Sequence, residues 1–68
     1  MRLLRAKLTN GCDYWINPAL YQGLEFHKEP GNPVGRVFCH YHGGSHTSVE
    51  ATNIEELVAD YEKAMRGE

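Results

Sequence analysis

The second half of the chain contains the stretch VGRVFCHYHGGSHTSVEA, residues 34–51, in which alternating apolar and polar residues stand on both sides of Gly43-Gly44. Alternation with a period of two is typical of a half-buried strand, and a glycine pair between two such runs predicts a β-hairpin. With Gly43-Gly44-Ser45 as a three-residue loop, His42 pairs with His46. We therefore predict a hairpin over residues 34–51 with one buried and one open face.

The two faces of this hairpin differ in their chemistry. The buried face would hold Val37, Cys39, Tyr41, Thr47, Val49 and Ala51, and the open face Arg36, Phe38, His40, His42, His46, Ser48 and Glu50. A two-residue Gly43-Gly44 turn is the alternative, and it would send Val49 outward with His40.

After this hairpin the sequence changes to the period of a helix, over residues 53–66. The residues expected on its apolar side are Ile54, Leu57, Val58, Tyr61 and Met65. Asn53 is the expected N-cap, with the Glu56 carboxylate returning to the N–H of the cap residue, and Gly67 is the expected stop. A single apolar stripe implies that the helix packs across one face of a sheet and leaves the opposite face open.

The first half predicts another hairpin and a middle strand. Residues 1–17 form the hairpin around Asn10-Gly11, a strand follows over residues 20–28, and residues 29–33 are a proline-containing loop. The whole chain, residues 1–68, is then one α+β domain. Its small antiparallel sheet has about five strands, two hairpins and the middle strand, and one C-terminal amphipathic helix packs on one face.

Trp15 is the largest side chain of the first hairpin. A loop at residues 10–12 would place Trp15 outside with Arg5 and Lys7, whereas a two-residue turn would bury it in the core. An exposed tryptophan beside basic side chains is typical of a contact site. Tyr21 is expected to extend the same outer surface.

The composition excludes several functional classes. With 41% hydrophobic and 24% charged residues the chain should fold, and its net charge of −2 argues against nucleic-acid binding. Residues 1–36 carry five basic and three acidic side chains, whereas residues 37–68 carry two basic and six acidic ones. No phosphate-binding loop, Ser-His-Asp set or catalytic carboxylate pair can be assembled, so the protein is not expected to be an enzyme.

The two cysteines, Cys12 and Cys39, bear on the compartment. No signal-peptide pattern precedes the first strand, so free thiols in a reducing cytoplasm are expected. Cys39 next to His40 suggests a thiol nucleophile, but neighbours on a strand face opposite sides, which favours a buried Cys39. No apolar run approaches the roughly 20 residues that span a bilayer, so no transmembrane segment is expected.

The histidines of the second hairpin allow a metal-site interpretation. His40, His42 and His46 are spaced so that their imidazoles could bind zinc on the open face. The alternative is that they are ordinary surface histidines of a hairpin, in which case no cofactor is expected.

The order of these elements resembles the small FlbD-type flagellar proteins of bacteria. The matching segments are Leu8-Thr9-Asn10-Gly11 through Tyr14, Ile16-Asn17-Pro18, Leu24-Glu25, and Val49-Glu50 with Ile54-Glu55-Glu56-Leu57. The resemblance implies a non-enzymatic accessory that acts through protein contacts, in that family on flagellar motor function. Proteins of this size and build are also frequent in bacteriophages, where they often inhibit a host protein or capture a ligand.

Two functional hypotheses follow. The first is a small binding or regulatory module whose open face contacts a protein partner or a second copy, through Trp15, Arg36, Phe38, His40 and His42. A two-fold homodimer is expected, weakened as its histidines gain protons below about pH 6.5. The second is capture of a small anionic ligand such as a nucleotide, between protomers, where Arg5, Arg36 and the histidines meet an aromatic ring.

Overall fold

The computed structural model describes residues 2–67, so Met1 and Glu68, the two ends of the predicted domain, lie outside the described residues. The described residues form β1 (Leu4–Lys7), β2 (Asp13–Ile16), β3 (Gly23–His27), β4 (Gly35–His40), β5 (His46–Ala51) and α1 (Ile54–Met65). All strand pairs are antiparallel, which confirms the predicted α+β class. The strands are divided between two sheets, β1-β2 and β3-β4-β5.

The first hairpin turns through residues 9–11, one residue earlier than predicted. Leu8 N donates to Cys12 O at 2.9 Å, and Gly11 N donates to Leu8 O at 3.1 Å. Gly11 is the last residue of this loop and has a φ of 87°, a conformation that glycine adopts without steric cost.

The second hairpin has the same loop, at residues 42–44. Tyr41 N donates to Ser45 O at 2.8 Å, and the last loop residue, Gly44, again has a positive φ. Because the loop begins one residue earlier than predicted, the pairing moves by two residues. His40 therefore pairs with His46, and the predicted pairing of His42 with His46 is wrong.

A shift of two residues leaves every side chain on its predicted face, since side chains alternate with a period of two. In the second hairpin Val37, Cys39 and Ala51 are buried. Both cysteines are free thiols, and burial raises the pKa of the Cys39 thiol. The first hairpin buries Leu4, Ala6 and Ile16 in the same way, while Trp15 is 56% exposed, which decides between the two placements left open by the sequence.

Thr52 and Asn53 join the two sheets. Thr52 N donates to Lys7 O at 2.8 Å. The Asn53 side chain accepts from Lys7 N at 2.9 Å and donates to Arg5 O at 2.8 Å, so its amide acts like a short piece of strand beside β1. Asn53 is the N-cap residue, but its side chain makes no capping bond, and the predicted exchange with Glu56 is absent from the described residues.

The helix packs on the buried sides of both sheets. Its buried residues are Ile54, Leu57 and Ala64, with Val58 and Tyr61 packed against the core. Met65, predicted on this side, is 63% exposed, because the spacing 54, 57, 61 and 64 leaves it on the outer edge. Over residues 2–67 no helix has the length and apolarity that a membrane crossing requires.

The segment between the hairpins differs from the predicted strand. Residues 18–20 form a short 3₁₀-helix, begun by Asn17, whose side chain accepts from Ala19 N at 3.1 Å. Because of this turn, β3 begins at residue 23 and not at residue 20, and the residues before it no longer follow the predicted alternation of faces. Tyr21 is therefore packed against the core beside Tyr41, with ring centroids 5.1 Å apart, rather than on the outer surface. Loss of hydration raises the pKa of Tyr21 to about 12.

Candidate functional site

The helix packs against the buried core, and we call the side of β3, β4 and β5 that turns away from this core the open face. The strand registers arrange its side chains in three cross-strand rows, which are His27-Arg36-Glu50, Glu25-Phe38-Ser48 and Gly23-His40-His46. Phe38 occupies the centre of this grid. Side chains two residues apart on a strand point to the same face, and strand pairing places those of β3, β4 and β5 beside one another. Residues from three separate parts of the sequence therefore meet on this face.

A shallow depression of about 700 Å³ lies over the open face and extends to the loop before β4, where Glu29, Asn32 and Val34 line it. Volumes of roughly 300–1,000 Å³ are typical of ligand sites. The depression is open to solvent on one side, so it can admit a side chain or a short segment without rearrangement of the sheet.

Phe38 is half-buried between two imidazole rings. The His27 ring meets it edge-on, with centroids 5.1 Å apart and planes at 85°, and His46 lies on its other side at 5.8 Å. Edge-to-face geometry is favourable for aromatic pairs and holds the phenyl ring in place. The centre of the open face is therefore an ordered apolar spot within a polar surface.

Glu25 accepts hydrogen bonds from two imidazoles. His27 Nε2 lies 2.9 Å from one carboxylate oxygen, and His40 Nε2 lies 2.7 Å from the other. Because an ionised carboxylate can only accept, each histidine presents its Nε2–H to Glu25. The bonds from His27 and then His40 hold the pKa of Glu25 below its usual value, so the carboxylate is ionised at neutral pH.

Arg36 is held by two neighbours on β5. Its Nη2 lies 2.6 Å from Glu50 Oε1, and its Nη1 donates to Ser48 Oγ at 3.2 Å. The guanidinium is therefore paired within the face and contributes little free positive charge to it.

The charges that line the depression sum to a negative value. Glu25, Glu29 and Glu50 contribute three negative charges and Arg36 one positive charge, which leaves −2 with the histidines neutral. The Glu29 side chain has no hydrogen bond or ion pair among residues 2–67. The open face is thus an acidic surface with an aromatic centre.

The structure brings together some of the predicted site residues and separates others. Arg36, Phe38 and His40 lie on the open face. Arg5 and Trp15 form a cross-strand pair on the outer side of β1 and β2, which with Lys7 and Asp13 we call the Trp15 face. Neither Arg5 nor Trp15 lines the depression.

The predicted trio of metal-binding histidines is not assembled. The rings of His40 and His46 are 5.7 Å apart, but the register shift moves His42 off the strand and into the hairpin loop. Within residues 2–67 no three histidine, cysteine, aspartate or glutamate side chains are placed to hold a metal ion.

Three residues of the site were missed at the sequence level. Glu25 and His27 stand two apart on β3 and so share a face, and that signal was readable from the chain. Their importance depends on Phe38 and His40 of β4, which only the strand pairing brings beside them. Glu29 lies in a loop, where no periodic pattern assigns a direction.

Comparison of the chain with protein-family models, with curated proteins and with solved structures gives no match. Function is therefore inferred from the residues of the open face.

Proposed function

We propose that the protein is a small, non-enzymatic binding module that contacts a protein partner through its open face. The observation that carries the proposal is Phe38, a half-buried aromatic side chain at the centre of a ring of charged and polar groups. Protein interfaces commonly have such an apolar centre within a polar rim, and a few central aromatic or arginine residues supply most of the binding free energy.

The Trp15 face supports this role less well. Trp15 is more exposed than Phe38, but it lies outside the depression and shares its surface with the loosely spaced Arg5–Asp13 pair, at 3.9 Å. Single exposed apolar side chains are common on soluble domains and need no partner. Trp15 therefore serves as the matched control for Phe38.

A comparative capture experiment tests the proposal. Tagged wild-type protein, Phe38→Ser and Trp15→Ser are used to retain proteins from native lysate, after circular dichroism has shown that both variants are folded. We expect a partner that wild type and Trp15→Ser retain and Phe38→Ser loses, because Phe38 is the centre of the contact. A partner lost only with Trp15→Ser would contradict the proposal, and so would unfolding of Phe38→Ser, since Phe38 would then belong to the core.

The identity of the retained partner bears on the resemblance to FlbD-type proteins. If the partner whose capture requires Phe38 is a flagellar protein, an accessory role in flagellar function is supported. If it is a phage or defence protein, a bacteriophage inhibitor of a host protein is favoured instead. Self-association as a homodimer stays a prediction of the sequence.

An anionic ligand is the second candidate, and one observation favours it. Arg36, His27, His40 and His46 surround an aromatic ring in a depression of suitable volume. The same depression contains three carboxylates, and Glu50 and Ser48 already hold the guanidinium. A phosphate would have to displace these partners, so protein contact is the better-supported function.

A further inference from the structure

The charge around the depression indicates what kind of group it can bind. Glu25 is ionised, the Glu29 side chain has no partner among residues 2–67, and Arg36 neutralises only one of the three carboxylates. An occupant that brings positive charge would restore the balance, whereas a second anion would face a repulsive surface. Charge complementarity therefore favours a basic occupant.

The aromatic centre favours the same occupant. A lysine ammonium or an arginine guanidinium is attracted to the face of an aromatic ring within about 6 Å of its centroid, and arginine also stacks on the ring. The imidazoles of His27 and His46 hold the Phe38 ring from two sides. The Glu29 carboxylate lines the same depression as Phe38, and it has no side-chain partner among residues 2–67, so it is available to pair with a basic side chain there.

The dimensions of the open face limit the size of the occupant. The three rows of side chains extend over two inter-strand distances, about 10 Å, in one direction. Along the strands they extend over about four residues, or about 13 Å. A stable contact between two folded domains buries about 800 Å² on each partner, several times this area. The open face alone is therefore better matched to a short segment than to a whole domain or a second copy.

We propose that the open face binds a basic extended segment of its partner, with an arginine or lysine side chain on Phe38 and paired with the carboxylate of Glu29, because Glu50 is already held by Arg36. This inference rests on the proposed function and specifies the chemistry of the partner at that site. The binding is expected to weaken as salt is added, because exposed ion pairs are screened.

The test is a titration followed by nuclear magnetic resonance. The probes are the blocked pentapeptide Gly-Arg-Thr-Arg-Gly, its counterpart Gly-Glu-Thr-Glu-Gly, and AMP as the anionic nucleotide, each added to millimolar concentration. We expect the basic peptide to shift the amide signals of β3, β4 and β5, and the two anionic probes to leave them unchanged.

Three variants locate the effect. Glu29→Gln and Phe38→Leu should each weaken binding of the basic peptide about two- to fivefold, because an exposed ion pair or cation–π contact is worth that much. Glu62→Gln removes the same charge from the exposed surface of α1 and should leave binding unchanged. Equal weakening by Glu29→Gln and Glu62→Gln would show a general charge effect and overturn the inference.

The other outcomes separate this inference from the proposed function. Shifts of the open-face amides by AMP or by the acidic peptide, or no shift there with the basic peptide, would overturn the basic-segment proposal alone. A captured partner that depends on Phe38 but whose bound segment lacks basic residues would do the same. Loss of the dependence on Phe38 would instead remove the proposed function on which the inference rests.

Discussion

The open face and the Trp15 face have the same origin but different chemistry. Each is the solvent side of a hairpin with a three-residue glycine loop, and each covers a buried apolar set. The Trp15 face is two strands wide and carries Arg5 and Lys7 against Asp13. The open face is three strands wide, and carboxylates predominate among its ionised groups.

The third strand accounts for the difference. β3 places Glu25 and His27 beside Phe38 and His40, which creates the carboxylate–imidazole network and the edge contact that orders the phenyl ring. Trp15 has a neighbouring strand on one side within its sheet, so its ring stays 56% exposed. The flanking side chains of a third strand thus hold the Phe38 ring, and exposure of the larger Trp15 ring does not supply such neighbours.

Gly35→Ala should produce the largest effect, because it forces the sheet of the open face and α1 apart where they are closely packed. A Cβ on Gly35 would collide with the Ile54 side chain and with the carbonyl oxygen of His27. We expect the free energy of unfolding to fall by about 1–3 kcal/mol, as for other overpacked cores. Urea denaturation measures the loss.

Gly23→Ala is the matched control for this substitution. Gly23 begins β3 in the same sheet, and a Cβ there meets no atom within 4 Å, so its stability should be unchanged or slightly increased. If Gly35→Ala unfolds at the same urea concentration as the wild type, β4 and α1 are packed less closely than in the structure.

Asn53→Ala should have the next largest effect, because it breaks the link between the two sheets. The substitution removes the bonds to Lys7 N and Arg5 O, both in exposed positions, and should cost about 1–2 kcal/mol of unfolding free energy. Hydrogen exchange at the Lys7 amide should become faster. Asn10→Ala, which loses one side-chain bond to Cys12 N inside a hairpin loop, is the control and should cost less. Equal losses would mean that Asn53 does not couple the two sheets.

The smallest effect concerns the charge of the open face and its dependence on pH. Hydrogen bonds from His27 and His40 lower the pKa of Glu25 in the folded protein below its usual value of 4.5. A lowered folded pKa stabilises the fold above the unfolded value, and that contribution is lost as pH falls through the folded value. Glu25→Gln should therefore be less stable than wild type near neutral pH, and the gap should close below about pH 4.5.

Thermal unfolding across this pH range measures the gap for Glu25→Gln. Glu62→Gln, on the exposed surface of α1, corrects for the general effect of removing one carboxylate. If the difference in thermal stability between Glu25→Gln and the wild type stays constant down to acid pH, the hydrogen bonds from the two histidines do not stabilise the ionised Glu25 carboxylate.

The faces of the strands were readable from the chain, but the registers were not. Alternation assigned Val37 and Cys39 to the core and Phe38 to the open face, and the structure agrees. The predicted loops were one residue late in both hairpins, because the positive-φ glycine takes the last position of a three-residue loop, which is Gly11 in the first hairpin and Gly44 in the second. That error moved His42 away from His46, and with it the predicted metal site.

The amino-acid sequence by itself predicted the five strands, the helix and the alternation of inward and outward side chains along each strand, because periods of two and 3.6 are local properties of the chain. The tertiary structure alone decided that Glu25 of β3 joins His40 of β4, that Tyr21 turns inward, and that Asn53 bonds β1 instead of capping α1. These contacts join residues up to 48 positions apart. The reason is physical: a side-chain amide or carboxylate bonds whichever backbone group or ring the packed strands bring within about 3 Å, and the local sequence does not specify that neighbour.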